Sequence, residues 1–545
     1  MEKSKALQNK IQIAINAQKK KIDEVNTYID FLKGKQYKAT PKKDDVTFNI
    51  IHTTVQAVLN SVLTGKSYIY IEPVSPEAIG TEDFVEKVIN YWWKRLKVEK
   101  QVKLTAIDYT ALGQGVTYVD WDFEVDKDDM IIADEPFALH IPYKDFLIDP
   151  NATAEEVYKA KYMIRRFVKP TKDLKADSRY KHTKNITGDS KLDDVISKGV
   201  PKEDAELTTL YQIWIPEDYA SYVMRDGCPD ILRTVENKFG REYPFVLMRN
   251  YEMPDELMPY GEVKILYEPQ QTLNRIYSLV LKHAKKVSTR QYIANSLISR
   301  EELRKLKDAE DGEVLSVEGN SKANDIITPI ADAVLSGDVY RAYEMIQSAV
   351  VQLSSISEYR RSSMPKGERK ATEAAYVEQA TEMSTNTKEE DIGEHCEDIA
   401  KKIFILLKDK DNINMRDIVY KDQTSGQYMA EQYNNESFPG EHSYRWESGA
   451  SAPINSNTKQ NKAQTFINIL KEIVSVSPMV AQRINWIELL RMTAKDFDID
   501  SLEQVLTPDE SMMPMQPGME QPGMEQGQEL DPNVVNAVMG QLNRY

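Results

Sequence analysis

Two segments of this chain place apolar residues at alternating steps of three and four. Between Tyr260 and Ser288 the recurring positions are Val263, Leu266, Gln270, Leu273, Tyr277, Val280, Ala284 and Val287. Between Asp338 and Ser357 they are Val339, Tyr343, Ile346, Val350 and Leu353. Residues three and four apart share one helix face, so such seams pack helix against helix. The other faces are polar, which predicts hairpin or subunit contacts along each seam. The expected object is a two-helix shaft with a small mixed head at its tip. Pro269 removes a helix hydrogen bond and predicts either a kink at that point or a helix that begins there.

The same reading extends along the rest of the chain. An N-terminal helix ends near Gly34, and a second, Val46 to Leu63, carries Ile50, Ile51, Val55, Val58, Leu59 and Val62 on one side. A strand at Tyr68 to Ile71 is closed by Pro73 and Pro76. Residues 82–112 read as one long helical stretch. From Gly113 the period becomes two: Val116, Tyr118 and the run Val119 to Val125 alternate, with a turn at Asp128-Asp129 and a return strand, Met130 to Ile132. Further strands are predicted at Tyr162 to Val168, Leu207 to Ile215, Tyr219 to Met224 and Tyr243 to Arg249, with a polar loop from Lys169 to Lys202. Residues 40 to 255 are therefore expected to form an α+β body. Between the shaft helices, Gln291 to Ile298 and Glu313 to Val317 read as strands around a short helix, Arg300 to Lys307. A long helix from Thr372 to Leu407 and a strand-and-loop region to Ser451 follow, and Asn455 to Leu506 is again helical. The repeat Pro517-Gly518-Met519-Glu520-Gln521, Pro522-Gly523-Met524-Glu525-Gln526 cannot bury a core.

Composition narrows the function. At 545 residues, with 41% hydrophobic residues, the chain is long enough for several domain-sized units. No apolar run is long enough to span a membrane, and the lysine-rich N-terminus lacks the apolar core of a secretory signal, so a protein of the cytosol is expected. Cys228 and Cys396 are too few and too far apart for a disulfide scaffold or a cysteine zinc site. With 70 basic against 86 acidic residues the formal net charge is -16. That balance argues against a tight, static grip on nucleic acid, which relies on phosphate neutralisation. It is compatible with a wall past which DNA slides.

Candidate chemistry is sparse. Gly65-Lys66-Ser67 has the end of a phosphate-binding loop, but Asn60 stands where its first glycine belongs, and the order is helix then strand rather than strand then helix. Gly113 and Gly115 lack a third glycine and read instead as a close backbone approach at the start of a strand. Asp120, Asp122, Glu124 and Asp126 fall on one strand face, where they suit either a cation or ordinary solvation. His52, His140, His182, His283, His395 and His442 show no paired ligand spacing, and neither a nucleophile elbow nor a distinct acid pair stands out. No catalytic residue, metal or cofactor is expected. One cluster remains: Arg360, Arg361, Lys366, Arg369 and Lys370, broken by Ser362, Ser363, Pro365 and Gly367, sits between the shaft and the next long helix. It reads as a solvated turn or as a local contact for DNA.

Several stretches, in one order, resemble the portal proteins, or head-to-tail connectors, of tailed double-stranded DNA bacteriophages. They are Tyr28-Ile29-Asp30-Phe31-Leu32-Lys33-Gly34-Lys35-Gln36-Tyr37, Asn49-Ile50-Ile51 leading to Tyr68-Ile69-Tyr70-Ile71-Glu72-Pro73, and Gly115-Val116-Thr117-Tyr118-Val119. Phe146-Leu147-Ile148-Asp149-Pro150-Asn151-Ala152, Pro259-Tyr260-Gly261 with Gln270 to Arg275, and Ala371-Thr372-Glu373-Ala374-Ala375 continue the series. The resemblance implies a multidomain α+β portal fold with an α+β wing, two-helix stem, small α/β clip and helical crown. Its divisions would be an N-terminal helical arm at 1–40, the wing at 41–258 and 372–450, the latter including a long helix, and stem helices at 259–288 and 331–359. The clip would be 289–330, the tunnel loop 360–371, the crown 451–507 and the low-complexity tail 508–545. It further implies a homo-oligomeric ring, of twelve subunits in the usual family form, at one capsid vertex of the virion and assembled in the host cytoplasm. DNA would pass along the axis during packaging and ejection. Its partners would be terminase, the major capsid protein and head-tail adaptor or tail proteins, with no membrane and no ATP hydrolysis of its own. On this reading the five basic residues face DNA in the channel. Two other classes stay open: a packaging motor or nuclease, and a different structural component such as an adaptor or a coiled-coil scaffold.

Overall fold

A computed structural model describes residues 2–37, 45–63, 67–125, 131–191, 206–228, 230–288, 292–294, 301, 304, 327–329, 337–353, 371–411, 414–421 and 428–447. The chain divides into Met1–Ile454 and Asn455–Tyr545, and all described residues lie in the first unit. The expected crown, the tail, the basic cluster 360–370 and most of the clip lie outside the described residues.

Helix α1 (Glu2–Leu32) turns Leu7, Ile11, Ala14, Val25, Tyr28 and Phe31 inward at helical spacing. Its two halves enter different cores: Leu7, Ile11 and Ala14 lie on a β-sheet, whereas Val25, Tyr28 and Phe31 join the largest apolar cluster. Between them the Gln18 amide donates to the Ile148 carbonyl at 3.1 Å. Left-handed Gly34 ends the helix (φ 83°). Helix α2 (Ile50–Val62) begins at Asn49, whose side chain accepts from the His52 N–H. After β1 (Tyr68–Pro73), residues 82–112 form not one helix but two, α3 (Glu82–Arg95) and α4 (Val98–Leu112). The break falls at Lys97, in the left-handed region (φ 52°) with no glycine or proline to announce it.

The strands β2 (Gln114–Val125), β3 (Ile131–Ile141), β4 (Phe146–Ile148) and β5 (Met163–Pro170) follow. The return strand β3 thus runs well past the Met130 to Ile132 expected from alternation. Helix α5 (Thr171–Ala176) and β6 (Ser190–Lys191) occupy part of the expected loop. Then come β7 (Glu206–Ile215), β8 (Ala220–Arg225), β9 (Ile231–Glu236), β10 (Phe245–Arg249), β11 (Tyr251–Met253) and β12 (Glu256–Tyr260). Helix α6 (Glu262–Ser288) starts at Glu262 and runs through Pro269. A short antiparallel pair, β13 (Tyr292–Ala294) and β14 (Ile327–Pro329), precedes α7 (Gly337–Leu353) and α8 (Ala371–Lys408). The described chain closes with β15 (Arg416–Lys421), β16 (Tyr428–Tyr433) and β17 (His442–Glu447), the last returning to pair with β1.

Two antiparallel sheets face each other. One has the order β10-β2-β3; the other has β4-β5-β7-β8-β9, with β6 also on β7. Phe146, Trp214, Tyr118 and Phe245 fill the space between them, with ring centroids 5.1–6.3 Å apart. The far face of the larger sheet carries Tyr211, Ile213, Tyr222 and Met224 against α1. The largest core joins Ile51, Val55, Trp92, Trp93, Tyr109, Ile399 and Ile403 from α2, α3, α4 and α8. Burying each such side chain contributes about 1.5–3 kcal/mol. The α+β character read from the sequence is borne out.

Candidate functional site: the root of the helical hairpin

Helix α6 leaves the body at a place where two backbones cross. A Cβ on Gly261 would stand 2.4 Å from the Ala111 carbonyl oxygen, and one on Gly113 2.4 Å from the Tyr260 carbonyl carbon. Gly113 also holds a left-handed φ of 106°. A Cβ on Gly115 would meet the Thr105 carbonyl oxygen at 2.3 Å. The close approach expected at Gly113 and Gly115 is therefore present, and only glycine permits it.

The first turn of α6 is keyed to α8 by charge. Glu262 (1% exposed) pairs with Lys388 (7% exposed). The Tyr251 hydroxyl donates to the same Glu262 oxygen at 2.8 Å, and the Lys388 ammonium lies 5.2 Å from the Tyr251 ring centroid. One turn further along α8, Asp391 accepts from the Tyr109 hydroxyl of α4. Burial raises the Asp391 carboxyl above its ordinary range, against the opposing pull of the Tyr109 hydrogen bond and Lys388. Removing one partner of a buried ion pair leaves an uncompensated charge, which costs about 3–5 kcal/mol. Glu262 and Lys388 therefore set how the hairpin and α8 meet.

Along the next turns, Gln270, Asn274 and Ser278 form a polar ladder on one face of α6. The Gln270 amide oxygen accepts from the Ile50 and Ile51 N–H groups at 2.9 and 3.3 Å, while its nitrogen donates to the Phe48 carbonyl at 2.6 Å. Asn274 accepts from the Phe48 N–H at 3.3 Å and donates to Gln36. Ser278 accepts from the Val46 N–H at 3.1 Å and touches Tyr37, whose hydroxyl donates to the Val46 carbonyl. With that proton committed, Ser278 donates to Tyr37. The ladder thus satisfies an otherwise irregular stretch between α1 and α2 by clamping it to the helix.

Of the seam residues, Val263, Leu266, Leu273 and Val350 are buried, and they join the body's main core. Tyr277, Val280, Val339, Tyr343 and Ile346 are half-buried, and Leu353 is 47% exposed. Tyr277 and Tyr343 join α6 to α7 through their hydroxyls at 2.6 Å, with rings edge to face at 5.2 Å. Around this pair Leu279, Tyr340 and Met345 are exposed, Met345 at 72%. Sequence periodicity found the apolar seam. It placed Gln270 in that seam without its partners and missed Asn274, Ser278, Glu262 and Lys388, for which helical amide spacing at 270 and 274 was the available signal.

The remaining candidates fall elsewhere. Arg360, Arg361, Lys366, Arg369 and Lys370 lie outside the described residues, as does Asp126. Asp120 accepts from the Tyr118 hydroxyl and, at 2.8 Å, from the Trp121 N–H, and burial raises its carboxyl above the ordinary range. Ser67 donates through both N–H and hydroxyl to Glu99, at 3.2 and 2.8 Å. Among the described residues no group of three histidine, cysteine or acidic side chains could hold a metal ion. An open cleft of about 270 Å³ beside Trp92 contains two self-neutralised pairs, Arg95–Glu135 at 3.0 Å and Arg416–Asp134 at 2.8 Å.

The family model described as Phage P22-like portal protein matches residues 8–237, and the portal resemblance drawn from the sequence is borne out by it. That span runs from α1 through β9, ending before α6. No curated protein matches the chain. No helix among the described residues is long and apolar enough to cross a membrane.

Proposed function

We propose that this chain is the subunit of a ring at one capsid vertex, through which DNA is packaged and ejected. The family match over residues 8–237 carries the reading. The hairpin supports it: α6 has 27 residues, about 40 Å at 1.5 Å per residue, a length suited to lining a channel through a shell. Its faces expose Leu279 near the tip of α6 and Tyr340, Met345 and Leu353 along α7 to water in a single chain, and ring closure through a head-to-tail interface would cover them. Terminase during packaging, and head-tail adaptor or tail proteins afterwards, would dock on the finished ring, and the major capsid protein would surround it. The segment 360–371 would be the tunnel loop, with Arg360, Arg361, Lys366, Arg369 and Lys370 forming a belt of positive charge repeated by symmetry. No catalytic step is assigned to the chain.

Negative-stain images of the purified protein test the assembly directly, since rings with a central hole are expected and compact particles or filaments would overturn it. A packaging assay tests the belt. Neutralising Lys366, Arg369 and Lys370 together should leave rings intact and lower retention of full-length DNA, more strongly at low salt, where phosphate contacts act at full range. Equal retention at low and physiological salt would return this segment to an ordinary solvated turn. ATP hydrolysis by the purified protein would instead favour a packaging enzyme.

A further inference from the structure

The acidic balance of the chain is not uniform. From Lys159 to Lys191 eleven lysines and arginines stand against three aspartates, leaving 59 basic against 83 acidic residues elsewhere. Apart from Lys159 and Lys161, which precede β5, these residues lie on β5, on α5 and on the segment that follows to β6. Together α5 and residues 177–189 cover the face of the larger sheet opposite α1: Leu174 and Ile186 pack on Leu210, Val223 and Leu232. The Lys181 N–H fastens the cover to β9 by donating to the Leu232 carbonyl at 2.7 Å. With Leu174, Thr183 and Ile186 turned inward, Lys175, Lys181 and Lys184 are left in water. His182, left-handed at φ 57°, makes the bend between exposed Lys181 and buried Thr183. Asp177 is neutralised within the cover by Lys169 at 2.7 Å and Arg179 at 2.9 Å. Arg233 of β9 lies over the Tyr180 ring, 5.7 Å from its centroid.

We propose that this basic cover is a contact surface for the sugar-phosphate backbone of duplex DNA, read without sequence preference; only the source of that duplex rests on the portal reading. Three considerations favour this partner. The lysines are strung out along the chain, Lys175 on α5 and Lys181 and Lys184 on the bend and turn after it, instead of converging on a buried polar group, which suits phosphates spaced along an extended polyanion better than one small anion. No large apolar side chain is exposed between residues 171 and 189, so an acidic protein segment would find charge there but no apolar anchor. Lysines act as point charges that bind any sequence and lose hold as salt rises. Because the rest of the chain is acidic in sum, the cover would also decide which side of the subunit meets the polyanion first.

The test uses the full chain and a labelled random-sequence duplex, followed by fluorescence anisotropy across a salt series. Each phosphate that a lysine neutralises contributes about 0.9 to the slope of log affinity against log salt. The triple variant Lys175→Glu, Lys181→Glu, Lys184→Glu should therefore bind at least about tenfold more weakly at low salt, with a slope shallower by about 2–3. The corresponding triple arginine variant should keep the parent slope. An unchanged slope in the glutamate variant would overturn the proposal. Poly-glutamate that binds the parent cover while duplex DNA fails to displace it would overturn it in favour of an acidic protein partner. Imaging separates this from the portal reading: rings whose DNA slope ignores the three lysines reject the cover alone, and a lysine-dependent slope without rings rejects the portal reading alone.

Discussion

His395 shows how one residue's protonation follows from its neighbours. Thr105 donates its only hydroxyl proton to the Gln101 carbonyl at 3.0 Å, so it can only accept from Thr117, 3.0 Å away. Thr117 in turn must accept from His395 Nε2, at 2.9 Å. The ring is thereby the neutral Nε2–H tautomer, with Nδ1 buried and without a partner among the described residues. Burial lowers its pKa from the ordinary 6.5 to about 3. The folded state therefore binds this proton less readily than the unfolded state, and stability present above pH 6.5 is lost as pH falls toward 3. Unfolding titrations should show that loss in the parent and a flatter profile in His395→Asn over the same interval. Nitrogen chemical shifts reporting a charged ring at pH 5 would contradict the assignment. Asp391 works in the opposite sense: its raised carboxyl favours the protonated form, so whatever it costs at neutral pH disappears on acidification.

At the scale of elements, the hairpin is held less by its seam than by what its first turns grip. Gln270 bonds three backbone groups of the 48–51 stretch, and a leucine there would take the amide from the Ile51 N–H and leave the Phe48 carbonyl and the Ile50 N–H only their 2.9 Å bond to each other. A buried group left unpaired costs about 1–3 kcal/mol, so Gln270→Leu should lower the unfolding free energy by about 1 kcal/mol or more despite the apolar gain. Gln271→Leu, next to it but bonded among the described residues only to Arg275, at 3.3 Å, should change little. Denaturant midpoints measure both, and equal effects would remove the ladder from this role. Residue periodicity predicted α6 and α7 to within a few positions, and it gave Leu266 and Leu273 their apolar face. It could not separate α3 from α4, since the left-handed turn at Lys97 replaces no residue in the pattern.

At the scale of the whole molecule, α1 ties two separate cores together, while the hairpin is rooted in one of them and bare beyond it. The seam residues therefore divide in their consequences. Val350 is 2% exposed within a single chain and belongs to its core, so Val350→Asp should unfold or soften the subunit itself. Val280 is only half-buried, and Val280→Asp should leave a folded subunit that fails to close a ring. Circular dichroism with light scattering distinguishes the two outcomes. Intact rings from both variants would place neither residue at a packed surface.

What the sequence alone determined was local or cumulative. Helical spacing marked α6, α7 and α8, alternation marked β2 and β7, the glycines at 113 and 115 marked a close approach, and ordered short stretches marked the portal family. These signals survive in one dimension because they depend on neighbours a few residues apart. Tertiary structure alone decided that β17 returns to β1, with His442 opposite Pro73 and Glu447 opposite Tyr68, that Glu262 meets Lys388, and that Gln270 serves the stretch at the start of α2. A polar side chain states that it needs a partner but not which one. That choice belongs to the chain crossing at Gly113 and Gly261, where backbone contact, a relation no pattern of hydrophobicity encodes, sets the helix against the body.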